Sequence, residues 1–257
     1  MPWRNVRDPY RIVVSEIMLQ QTQVSRVMQK YGEFIKEFPN FKSLAKASQT
    51  HVLRAWQGLG YNRRAVALKR LSEIIVKEYK GKLPHDTASL QNLPGIGAST
   101  AGSIAAFAFN VPSAFIETNI RRVYIHFFFP RAKKVSDEDI LRLVKKTVPK
   151  KNVHGAWLQG VTSREWYYAL MDYGAMLAKQ VENPNKKSAR YRIQPKFKGS
   201  NRELRGKIIK LLLQKKSIDF RTLRNHLKEP IRRVKTILAL LCKEELIQEH
   251  TGRYSIS

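Results

Sequence analysis

The chain has 257 residues, 43% of them hydrophobic, enough to fill a core rather than a disordered tail. Lys and Arg number 48 against 20 Asp and Glu, a formal charge of +28 that exceeds what solubility needs and points to a polyanionic partner. No apolar run approaches the roughly 18 to 20 residues of a membrane span and no signal segment opens the chain, so the expected setting is cytoplasmic, beside the nucleoid. The single cysteine, Cys242, excludes an intramolecular disulfide, a thiolate cluster and a Cys-rich zinc site. His51, His85, His126, His154, His226 and His250 show no metal-ligand spacing and read as surface or core residues, so no metal is expected.

Apolar residues recur at helical spacing up to about residue 180 and strand-like alternation is scarce, which predicts an all-α body. Helices are predicted over 9–20, 23–38, 41–47, 49–57, 62–79, 87–92, 98–109, 118–129, 136–148 and 164–179, with Pro and Gly punctuation between them. In the first, "YRIVVSEIMLQQTQV" (10–24) is apolar nearly all round, so Glu16 is expected to be buried and its pKa raised, as a general acid requires. The bland alternative is a Glu16 that points out through a gap or pairs with an arginine. Gln20, Gln21 and Thr22 follow, three uncharged side chains suited to base edges and equally to a plain helix end.

"GLGYNRR" (58–64) places Tyr61 between a Gly-rich turn and two arginines, where it either wedges between bases or caps the local core. "LPGIG" (93–97), with Pro94, Gly95, Ile96 and Gly97, precedes a predicted helix whose free N–H groups suit an anion. It reads as a helix-hairpin-helix phosphate cradle, or as a corner that merely needs glycine. In "FIETNIRRV" (115–123) the carboxylate of Glu117 stands at a helix start beside Arg121 and Arg122, which predicts a lowered pKa. The two acids would then separate into a charged stabiliser and a protonated donor.

From Lys186 the stretch "KKSARYRIQPKFK" has six cations and no acid, and reads as a linker able to lie on phosphates. Beyond it, helices are predicted over 201–214, 219–228 and 231–246, with Pro230 in the first turn of the third and two short strands around Thr251-Gly252. That order is a winged helix-turn-helix. Residues 186–257 hold 20 Lys/Arg against six Asp/Glu, favouring DNA contact over a purely protein-docking module.

Together these motifs resemble the helix-hairpin-helix DNA glycosylase superfamily and, within it, the MutY-type adenine DNA glycosylases. The resemblance runs from Pro2-Trp3-Arg4 through "SEIMLQQTQV", "GLGYNRRA", "LPGIGASTAG" and "IETNIRRV" to "MDYGAM" (171–176), about two thirds of the chain. It implies a six-helix barrel over 11–123, a second helical domain from 1–10 and 124–185, a basic linker over 186–199 and a winged-helix domain over 200–257. Glu16 matches the family's catalytic acid. Gln20, Gln21 and Tyr61 match positions that penetrate the duplex, with Thr22 next to them in the chain, Trp3 and Arg4 match the base-pocket wall, and Gly95 and Gly97 match the phosphate hairpin. Asn119 matches the asparagine beside the second carboxylate. Ser99 stands where strand-cleaving relatives carry a lysine, which implies a monofunctional enzyme using water.

Five departures accompany the resemblance. Glu117 replaces an Asp. The cluster cysteines are gone, Leu177-Ala178 following "MDYGAM", so no iron–sulfur cluster is expected. The usual N-terminal helix is expected to be missing, the sequence opening at Met1-Pro2-Trp3. Tyr168 stands where a polar side chain reads the base edge, and the winged-helix candidate replaces the domain that recognises 8-oxoguanine. The implied partner is double-stranded DNA with a mismatched or damaged base, bound by a monomer. The implied reaction is excision of adenine opposite 8-oxoguanine or guanine. The alternatives are a T/U·G glycosylase and a weakened mismatch-binding protein.

Overall fold

A computed structural model describes residues 1–150 and 160–257, so His154 lies outside the described residues. The body helices are α1 (Pro9–Leu19), α2 (Val24–Glu37), α3 (Phe41–Lys46), α4 (Gln49–Ala55), α5 (Arg63–Lys77), α6 (Thr87–Gln91), α7 (Ala98–Phe109), α8 (Thr118–Phe128), α9 (Asp137–Thr147) and α10 (Ser163–Gln180). The C-terminal part follows with α11 (Asn201–Gln214), β1 (Ile218–Asp219), α12 (Phe220–Leu227), α13 (Ile231–Lys243), β2 (Ile247–His250) and β3 (Arg253–Ile256). Two 3-10 turns, Pro2–Asn5 and Pro184–Lys187, complete the order. No helix among the described residues is long and apolar enough to cross a membrane.

Local chemistry explains where the helices start. The side chains of Asn40, Ser48, Asp86, Ser136, Thr162, Ser200 and Asp219 each accept a backbone N–H three residues on, a cap worth about 1 kcal/mol. Asp219 therefore caps α12 rather than belonging to it, and Pro230 immediately precedes α13 rather than lying in its first turn. α13 stops at Lys243, short of the expected 246, because Glu245 adopts a left-handed φ of 55°.

Contacts divide the chain into two compact units. One comprises Met1–Asn5, Ile17–Leu83 and Gln194–Ser257, the other Val6–Glu16 and Pro84–Ile193. α1 is continuous across the division.

In the first unit, α3 lies against α5, and the ring of Phe34 meets those of Phe38 at 4.9 Å and Trp56 at 5.5 Å, both edge-on. The C-terminal module has the helix order of a winged helix, with an antiparallel sheet ordered β1-β3-β2. The wing turns at Thr251-Gly252, both with positive φ (49° and 72°), as a two-residue type I′ hairpin needs. This module is not a free appendage. Gln49 Nε2 donates to Glu245 O at 2.9 Å, Arg54 Nη2 to Leu213 O at 3.2 Å, and Arg70 pairs with the Glu245 carboxylate.

In the second unit, α8 and α10 pack side by side around a core containing Phe107, Phe115, Ile120, Tyr124, Ile140 and Tyr167. Tyr167 donates its hydroxyl to Ser113 O at 2.6 Å. Gly102 lets Phe115 approach so closely that a Cβ there would stand 2.7 Å from the Phe115 Cβ. A parallel bridge joins Val135 to Ser188, with Val135 N donating to Lys187 O and Ala189 N to Val135 O, both at 2.8 Å.

Candidate active site

Glu16 sits in α1 between buried Val14 and Ile17, with Ser15 also buried. The residue keeps some solvent-accessible surface, yet its carboxyl is surrounded densely enough that burial pushes its pKa up to about 7. The Glu117 carboxylate raises it further by repulsion, while a hydrogen bond from Ser103 acts the other way. Ser103 Oγ lies 2.5 Å from Glu16 Oε2 and 3.0 Å from Thr100 O. One hydroxyl hydrogen can serve either acceptor. Ionised Glu16 takes it; protonated Glu16 can donate to Ser103 Oγ while Ser103 donates to the Thr100 carbonyl.

Glu117 is the N-cap of α8, its Oε1 accepting from Asn119 N at 2.6 Å and Ile120 N at 2.7 Å. Its pKa is nevertheless raised, because burial outweighs those bonds and the attraction of Arg121 and Arg122. This reverses the lowered pKa expected from the sequence, because burial is the larger effect; the two arginines also have partners of their own. Arg121 is committed to Asp137, donating Nε to Oδ1 at 2.9 Å and Nη2 to Oδ2 at 3.1 Å. Arg122 Nη1 donates to Asn119 Oδ1 at 2.7 Å and Gly174 O at 2.6 Å.

That arrangement orients Asn119, whose Nδ2 faces Glu117 Oε2 at 3.5 Å. Gly174, inside α10, makes it possible: a Cβ there would lie 2.4 Å from Asn119 O. Ser99 Oγ donates to Ile116 O at 2.6 Å, tying the first turn of α7 to the residue before Glu117. Within the hairpin, Leu93 and Ile96 point inward while Gly95 and Gly97 are exposed. Ile96 can therefore offer a ligand only its backbone, half-buried Pro94 borders the turn, and Gly95 with φ 80° sets it. Tyr168 stacks on Phe107 at 4.8 Å and 15°, held by the hydrophobic cluster.

In the first unit, Trp3 is buried edge-on to Tyr31 at 5.4 Å, with Arg4 half-buried beside it in the chain. After α1, Gln20 is half-buried, and Gln21 is exposed with a left-handed φ of 52°. Thr22 turns inward. Its Oγ1 accepts from Arg64 Nη2 at 2.9 Å. Arg64, one of the two arginines after Tyr61, is 6% exposed and gathers backbone carbonyls. Nη1 donates to Ile17, Met18 and Gln20, and Nη2 to Leu59 and Gly60, at 2.7 to 3.2 Å. It fastens the end of α1 to the glycine turn before Tyr61. Tyr61 itself is half-buried with φ 48°, under the Arg64 guanidinium at 5.4 Å.

Sequence reasoning missed Ser103, whose signal was present: it lies one helical turn after Ser99 on the small-residue helix α7. The structural roles of Arg64 and Arg122 had little local signal: Arg64 reaches back to carbonyls at the end of α1 and in the 58–60 turn, and Arg122 joins Asn119 on its own helix to the Gly174 carbonyl of α10. The iron–sulfur cluster of the resembling family has no donor set here. Cys242 is the single cysteine and lies on α13. Among the described residues no group of three or more His, Cys, Asp or Glu could hold a metal ion. The segment after α10 is held by protein groups: Asn185 Nδ2 donates to Thr118 O at 3.0 Å and Lys187 Nζ to Pro130 O at 2.6 Å.

A glycine hairpin between two helices, a carboxyl inside α1 and a second at the N-cap of α8 define a class, and residues 14–150 match the family described as HhH-GPD superfamily base excision DNA repair protein. The chain belongs to that superfamily. Within it, the chain is 35% identical over 181 residues to the adenine DNA glycosylase of Buchnera aphidicola subsp. Baizongia pistaciae, covering 69% of this chain and 48% of that protein. It is 30% identical to the adenine DNA glycosylase of Mycolicibacterium smegmatis over 100% of this chain and 91% of that protein. The chain thus spans about half the length of the Buchnera relative and most of the mycobacterial one. A solved thermostable thymine-DNA glycosylase shares the fold, with a TM-score of 0.60 and 24% identity over 73% of this chain and 83% of that one.

Proposed function

We propose that this chain is a monofunctional DNA glycosylase that hydrolyses the N-glycosidic bond of a base flipped from duplex DNA, adenine opposite 8-oxoguanine or guanine. It works as a cytoplasmic monomer, without an iron–sulfur cluster. The observation that carries this reading is the Glu16 carboxyl, whose pKa of about 7 leaves a useful fraction protonated at neutral pH, beside a second carboxyl seated at a helix N-terminus. The adenine DNA glycosylases among its relatives support the choice of base.

In the proposed reaction, DNA is held by its phosphates along the Gly95–Gly97 hairpin, and the free energy of binding offsets a few kcal/mol of unstacking. Glu16 gives its proton to a ring nitrogen of the base. The electrons of the C1′–N bond leave with that base, and the sugar becomes oxocarbenium-like. Glu117, held by the Asn119 and Ile120 amides, lies where an anion can stabilise that cation. Water then adds to C1′, and its proton restores the acid form of Glu16. Position 99 offers a serine whose hydroxyl is bonded to Ile116 O, so no amine is supplied there for covalent attack and strand cleavage.

The winged-helix module adds sequence-independent contacts through Arg232, Lys235 and Lys243, exposed on one side of α13. Tyr168 motivates a second reading: with its ring held against Phe107, that position reads the base edge differently, and T or U opposite G becomes the competing substrate. Single-turnover release of free base from A·8-oxoguanine, A·G, T·G and U·G duplexes, with Glu16→Gln alongside, tests both. Fast adenine release that the substitution abolishes is expected. Release of T or U alone would establish the second reading, and tight binding without release of any base would leave a mismatch-binding protein.

A further inference from the structure

Tyr61 lies at the end of the glycine turn that Arg64 fastens to α1, and its phenol does not end in solvent. Gln194 Nε2 donates to its hydroxyl at 2.5 Å and Arg202 Nη1 at 3.0 Å. The Arg202 guanidinium also lies 5.8 Å from the centre of the Tyr61 ring and 5.9 Å from that of Phe197, while its Nη2 donates to Pro195 O at 2.7 Å. Residues 194–197 of the expected linker are thus folded onto Tyr61 by the second residue of α11. All of these groups belong to one unit.

We propose that Gln194 and Arg202 are positioning residues: the C-terminal module holds the Tyr61 ring in the orientation in which it enters the base stack, and so tunes how well a mispaired base is unstacked. The inference rests on the reading that DNA lies against this surface. The chemistry is specific. A phenol that accepts two donors, one of them a planar cation, loses rotational freedom about both side-chain bonds, whereas an unheld ring must be ordered at the moment of insertion. The left-handed backbone of Tyr61 and the Arg64 cation already limit where the ring can start. Gln194 and Arg202 then select one direction.

The test uses the full chain and a duplex carrying 2-aminopurine opposite guanine, whose fluorescence rises on unstacking whether or not any base is released. Tyr61→Phe removes the acceptor and keeps the ring, Arg202→Met and Gln194→Ala remove the donors, and Lys210→Met on the exposed side of α11 matches the lost charge. Tyr61→Phe and Arg202→Met are each expected to lower the fluorescence gain roughly tenfold. The double variant should lose no more than either alone, as for residues acting through one contact. Lys210→Met and Arg202→Met should weaken binding to fully paired duplex by similar factors. The proposal is overturned if the wild type produces no gain, if the two effects multiply, or if Arg202→Met raises the gain. The last result would mean that the ring is parked rather than presented. Tyr61→Phe is conservative enough to keep the test valid should Arg202→Met fail to fold. A gain without base release would separate this proposal from the failure of the glycosylase reading.

Discussion

In the proposed reaction the Glu16 carboxyl would tie catalysis and stability to one proton. With a folded-state pKa near 7 against an ordinary 4.5, the folded chain holds the proton more tightly than the unfolded one. The stability this contributes is complete below about pH 4.5 and is lost as pH rises through about 7. Glu16→Gln, which cannot ionise, should therefore be more stable than wild type by on the order of 2 to 3 kcal/mol at pH 8. Denaturant melts should show the advantage shrinking toward pH 4.5. Base release should fall about tenfold per pH unit above 7 in single-turnover profiles. Glu117→Asp shortens an acid already seated on two backbone amides, so release should drop roughly a hundredfold with little change in melting temperature. The upward shift of Glu16 followed from its apolar neighbours in the sequence. The direction for Glu117 did not, because a local reading counts Arg121 and Arg122 as neighbours and cannot see the burial that outweighs them.

Among the elements, helix bounds were legible to within one to three residues, because a 3.6-residue apolar period and a capping side chain are both local signals. β1 was not legible: two residues form a strand only by pairing with β3, 34 or more positions away. The contact between α8 and α10 depends on Gly174, which looks ordinary inside a helix. Gly174→Ala should drive a methyl into Asn119 O, costing about 3 kcal/mol and displacing the Asn119–Arg122 pair, measurable as a lower denaturation midpoint and weaker release. The join between the end of α1 and the 58–60 turn depends likewise on Arg64. Arg64→Met leaves five backbone carbonyls without their donor and is expected to cost about 3 kcal/mol.

For the whole molecule, the charge of +28 was the plainest statement of a polyanionic partner, yet it did not say which cations are free. Arg54, Arg64, Arg70, Arg121 and Arg122 are occupied by protein acceptors, whereas Arg232 and Lys235 on α13 are exposed. Neutralising those two as Arg232→Gln with Lys235→Gln should reduce the slope of log affinity against log salt by about 2, in titrations on undamaged duplex. At saturating enzyme the release rate should stay unchanged. The clamp on Tyr61 also has a meaning for how the chain is made. Its partners lie 133 and 141 residues further along. At about 5 to 20 residues per second, the tip waits on the order of 10 s after Tyr61 is synthesised before Gln194 and Arg202 can reach it. Glu16, the glycine hairpin and Glu117 are all synthesised earlier, so a chain cut short before Gln194 by stalling or proteolysis would carry both acids and lack both donors to the Tyr61 hydroxyl.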